Sequence, residues 1–176
     1  MAGQLQFITS VNITSSQSST TVDNVFTDEY PIYKIVTANF TLAGTNVADL
    51  DGRFIDNSGS VISASEYLTS HLLWYNYQDS TEQRSTSNTK IPRMFGRTNG
   101  TTGLVSGSVN YVYSPTNTSS NTFVISQSSA DSGDGILGAR GFGCHNVEEA
   151  IRGFQIVESN GSRPYNNGII SVYGVK

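Results

Sequence analysis

Apolar and β-branched residues recur along the chain in short extended stretches, separated by turns of Ser, Thr, Asn and Gly, and this pattern predicts strands from one end to the other. Leu5 to Ile13 alternates as an opening strand, and the Ser-rich run from Thr14 to Thr21 reads as a loop before a short edge strand at Val22 to Phe26. After Pro31, the β-branched and aromatic stretch Tyr33 to Leu42 predicts a central strand. Val47 to Ile55 follows, with a bulge or turn expected at Asp51-Gly52, and Asn57 to Ser60 marks a turn before Val61-Ile62. Ser65 to Tyr77 is ambiguous, because its start suits a short capped helix while its aromatic end favours a strand.

From Gln78 to about Thr102 the chain is polar, with Ile91, Met94 and Phe95 as isolated apolar points, so a long loop is expected there. Gly103 to Tyr113 and Thr122 to Ser126 read as a hairpin across Ser114 to Asn121, and Ile136 to Phe142 as a glycine-containing strand. In Glu149 to Glu158 the alternation assigns Phe154 and Ile156 to the core. Asn160-Gly161-Ser162 then predicts a long hairpin into the closing strand Ile169 to Val175. Taken together, these elements predict one domain over residues 1–176, an all-β antiparallel sandwich of jelly-roll or galactose-binding-like type.

Composition narrows the function. Charged residues make up only 14% of the 176, so the polar surface is largely hydroxyls and amides that lose little entropy when a partner covers them. A net charge of −4 offers no broad attraction for a phosphate backbone, and although Arg84, Lys90, Arg93 and Arg97 cluster, no aromatic residues alternate with them; nucleic acid is not an expected partner. Neither a signal peptide nor a membrane-spanning run is read, so no membrane partner is expected. Cys144 stands alone, which excludes an intrachain disulfide.

Candidate chemistry is sparse. Asp49 and Asp51 lack a visible partner carboxylate for glycosidase work and read as solvated groups beside a bend. Asp131 to Asp134 carries carboxylates on flexible backbone without an EF-hand pattern, leaving a structural cation there as an open question. His71, Cys144 and His145 have no zinc-site spacing, and no phosphate-loop, HExxH or GxSxG motif occurs. On this reading there are no catalytic residues, no cofactor and no metal ligands. Trp74, Tyr75 and Tyr77 before the polar stretch, with Arg84, Arg93 and Arg97 within it, are the candidate interface or glycan contacts.

The closing segments, Ala150-Ile151-Arg152-Gly153-Phe154-Gln155-Ile156 and Tyr165 to Lys176 with its Tyr173-Gly174 ending, together with Tyr33-Lys34-Ile35, resemble small β-sandwich virion structural proteins of tailed bacteriophages of marine and cyanobacterial type. The resemblance is strongest over residues 150–176 and diffuse elsewhere. It implies a non-enzymatic virion subunit, a capsid decoration or cement protein or a tail or fibre component, assembled in the host cytoplasm. Its partners would then be other copies of itself and other virion proteins. The alternative is a carbohydrate-binding receptor-recognition module of a tail fibre, which would meet a host surface glycan.

Overall fold

A computed structural model describes residues 4–44, 47–101, 105–131 and 135–176. Among these residues twelve strands run in the order β1 (Leu5–Ile13), β2 (Ser19–Val22), β3 (Ile32–Leu42), β4 (Val47–Asp56), β5 (Tyr67–Tyr75), β6 (Thr81–Asn88), β7 (Arg97–Asn99), β8 (Ser106–Tyr113), β9 (Thr122–Asp131), β10 (Ile136–His145), β11 (Ile151–Glu158) and β12 (Tyr165–Val175). They form an antiparallel sandwich. The large sheet has the order β1-β12-β3-β8-β9-β10-β5-β6 and the small one β2-β11-β4-β7. The all-β sandwich expected from the sequence is therefore the observed architecture.

Alternation explains the packing. Tyr33, Ile35 and Thr37 of β3 point inward; Asn39 then adopts φ 59°, and the register slips on both sides of β3, so Phe40 and Leu42 also reach the core. Asn is one of the few residues that tolerates this backbone region. From the small sheet, Leu50, Phe54, Phe154 and Ile156 meet Ile35, Ile170 and Val172 of the large one. Phe154 stacks between Phe95 at 5.6 Å and Phe26 at 6.0 Å between ring centroids. Phe154 and Ile156 are thus core residues, as the alternation predicts.

Two local expectations are corrected. The polar stretch after Gln78 is not one loop: it forms the edge strand β6 and the short β7, and Ile91, Met94 and Phe95 plug into the core. Because β6 is polar on both faces, it lacks the alternation that announces a strand. The segments before and after Asn160-Gly161-Ser162 do not pair, since β11 lies in the small sheet and β12 crosses to the large one. Ser65 to Tyr77, which the sequence leaves between a short helix and a strand, contains the strand β5 over Tyr67–Tyr75.

Candidate functional site

Only one face of the eight-stranded sheet is covered by the small sheet, and the other carries much of the exposed apolar surface. One cross-strand row runs Phe7, Tyr173, Lys34, Tyr111, Ile125, Phe142, Ser70, Arg84 from edge to edge. The next row is apolar throughout: Leu5, Val175, Ile32, Tyr113, Phe123, Cys144, Leu68. In these rows Leu5, Phe7, Phe123 and Phe142 are exposed, the apolar residues between them are half-buried and Cys144 is buried; continuous apolar surface of this kind marks a contact surface.

Toward the β6 edge this face hollows into two adjoining depressions. One, of about 560 Å³, is lined by Leu68, Arg84, Phe123, Phe142 and Cys144 among others. The second, of about 390 Å³, is lined by Leu72, Trp74, Glu82, Arg140 and Phe142, and the two share Ser70 and Phe142. Trp74, Phe142 and Phe123 are 44%, 51% and 49% exposed. Trp74 lies opposite Gly138 on β10, where an added Cβ would sit 3.8 Å from Cε3 of the indole. The ring therefore rests against backbone rather than against a side chain. Arg140 lies with its guanidinium carbon 5.7 Å from the centroid of the Phe142 ring. Among the described residues neither Arg84 nor Arg140 forms an ion pair.

The second cluster lies where β10 ends and β5 begins. His145 is fully buried, its ring 5.4 Å from that of Tyr67 and 6.3 Å from that of Phe54. Its Nε2 is 3.4 Å from Oε2 of Glu66 and 3.5 Å from Oε1 of Glu149, while Nδ1 has no hydrogen-bond partner among the described residues. The two carboxylates are 39% and 36% exposed, and the three donor atoms all lie within 4.8 Å of one another. The Asn146 amide donates to the Glu66 carbonyl at 2.8 Å, tying the segment after β10 to the start of β5.

The residues singled out from the sequence scatter. Trp74 and Arg84 line the outer depressions. Tyr75 faces inward against Leu73, Leu137 and Ala139, and the exposed Tyr77 ring lies 5.4 Å from it. Arg93 and Arg97 belong to a different site: both reach Asp49, at 2.8 and 2.7 Å. Burial pushes the Asp49 carboxyl up, but the hydrogen bonds from Arg97 and Arg93 outweigh it and hold the group below its ordinary range. Asp51 is almost completely buried and meets Lys90 at 2.9 Å and the Arg93 amide at 2.8 Å. The expectation of two solvated carboxylates is corrected on both counts.

His71 bonds Gln83 at 2.9 Å and lies opposite Gly141, four residues along β10 from His145, so the two histidines share no site. Burial raises the Cys144 thiol, which makes it a poor nucleophile at neutral pH. The cation question over Asp131 to Asp134 falls partly on residues 132–134, outside the described residues.

No family model matches the chain, and no curated protein matches it. Among solved structures, the chain is similar to the crystal structure of the marine PL-14 alginate lyase from Aplysia kurodai, at 9% identity and a TM-score of 0.38, over 95% of this chain and 81% of that one. None of these comparisons returns a phage virion protein, so the resemblance to decoration, cement or tail proteins is withdrawn. The reading as a virion subunit, and with it the expected contacts with further copies and other virion proteins, is set aside. The expectation of a chain without catalytic or metal-ligating residues is withdrawn as well, because Glu66, His145 and Glu149 bring three donor atoms of metal-ligand type together, a grouping that no spacing in the sequence announces.

Proposed function

We propose that the chain binds a polysaccharide in the groove on the outer face of the large sheet, and that the sugars it takes carry carboxylates. The observation that carries this is the row of exposed rings, Trp74, Phe142 and Phe123, beside two guanidiniums, Arg84 and Arg140, that form no ion pair among the described residues. Strand geometry sets Trp74 and Phe142 about 14 Å apart and Phe142 and Phe123 about 8 Å apart, a spacing for several linked sugars rather than one. Flat apolar faces of pyranose rings pack on such platforms, while the forked donors of arginine match carboxylates in two-point contacts.

Titration calorimetry of the full chain with polyuronate oligosaccharides and with neutral oligosaccharides tests this reading. The acidic chains should bind more tightly, with affinity falling as salt rises. Trp74→Ala should weaken binding about tenfold, the equivalent of ~1.4 kcal/mol, without changing the melting temperature. Replacing Arg84 and Arg140 together by Gln should abolish the preference for acidic chains. Absence of polyuronate binding, or binding indifferent to Trp74→Ala, overturns the proposal.

A further inference from the structure

We propose that Glu66, His145 and Glu149 form a mononuclear site for a divalent transition cation of the zinc class, an inference that stands apart from the groove. Three observations converge. The first is distance: donors about 2.1 Å from a tetrahedral ion stand about 3.4 Å from one another, and Nε2 of His145 lies 3.4 Å from the Glu66 oxygen and 3.5 Å from that of Glu149. A charge-assisted hydrogen bond would draw those atoms to roughly 2.7–2.9 Å.

The second is burial. The imidazole is wholly enclosed, yet its Nε2 is directed at the two carboxylates and held there by packing against Phe54 and Tyr67. The third is charge: the two carboxylate oxygens lie within 4.8 Å of each other and of Nε2, so a cation held among the three would relieve their mutual repulsion.

The donor set identifies the ion. One imidazole nitrogen with two carboxylate oxygens suits zinc and its first-row neighbours, whereas calcium takes six to eight oxygens and gains little from imidazole. Among the described residues three protein donors are present, and both carboxylates reach solvent, so a fourth position is left for water or a ligand. That is the open arrangement of catalytic rather than structural zinc sites. The ion would also fasten the residues after β10 to the start of β5, strands whose opposite faces line the groove.

The test is calorimetry and thermal melting of the chelator-treated full chain with ZnCl2, MnCl2 and CaCl2. One zinc per chain should bind and raise the melting temperature, manganese should bind more weakly, and calcium should give neither effect. Because the His145 ring is part of the core, His145→Ala risks misfolding, so Glu66→Gln and Glu149→Gln carry the test. Each should melt as the metal-free native chain does and lose at least about tenfold in zinc affinity. Lack of saturable one-to-one binding, zinc binding that survives both substitutions, or calcium binding as tight as zinc overturns the proposal.

Discussion

Lys90→Met perturbs a pair whose cost can be worked from its surroundings. Lys90 Nζ lies 2.9 Å from Oδ2 of Asp51 and also donates to the Ser159 carbonyl at 2.7 Å, so this one side chain ties the segment after β6 to the small sheet. The Asp51 side chain is 3% exposed and that of Lys90 23%. Removing one partner of a fully buried pair costs about 3–5 kcal/mol; with the lysine end partly hydrated, ~2–3 kcal/mol is expected at pH 7.

The loss should depend on pH in a definite direction. Burial raises the Asp51 carboxyl above its ordinary value of 3.8, against the opposing pull of the Arg93 amide and of Lys90. Above that value the folded chain holds a proton that the unfolded chain has released, so stability falls as pH rises until the folded carboxyl ionises. Without Lys90 this window extends upward. The deficit of Lys90→Met should therefore be large at pH 7 and shrink toward pH 4, by at most about 1.4 kcal/mol per pH unit. Urea unfolding at both pH values measures it. Asp51→Asn combined with Lys90→Met should recover most of the loss, because no buried charge remains. A deficit equal at both pH values, or a double variant weaker than the single one, would refute the reasoning.

Two further outcomes follow from the core and its edge. Tyr67→Phe removes a hydroxyl that accepts from the Phe54 amide at 2.9 Å and donates to the Ile62 carbonyl at 3.1 Å, leaving a buried amide unsatisfied; a loss of about 1–3 kcal/mol in urea unfolding is expected. The Asp49 carboxyl, held low by Arg97 and Arg93, contributes stability above pH 3.8 that disappears as pH falls through its folded value. Between pH 4 and pH 2 the native chain should accordingly lose more stability than Asp49→Asn, by about 1 kcal/mol, as read from urea midpoints.

The sandwich was legible because strands facing a core on one side alternate, as Tyr33-Lys34-Ile35-Val36 does. What failed to show was pairing. Nothing local to Asn160-Gly161-Ser162 says that the chain changes sheets there, and β6 has no apolar face to announce it. The groove was half visible: Trp74 and Arg84 stood out, but Phe123, Arg140 and Phe142 join them only through the register of β9, β10 and β5. The Glu66–His145 contact spans 79 positions, beyond any spacing rule. The one local sign was the separation of His145 and Glu149 by four residues, a pattern usually read on helices, whereas here an irregular segment brings the two together.

The position of β12 between β1 and β3 has a kinetic consequence. Among the described residues β1 pairs with residues 168–175 alone, so it cannot take its place in the sheet until β12 has been made and has found it. β10 similarly has to find β5 across the intervening β6 to β9. Such distant pairings place this sandwich among slow folders, on the scale of milliseconds to seconds. Until then Val11 and Ile13 lack their eventual neighbours, and dilution or a holding chaperone should govern the yield of correctly folded protein.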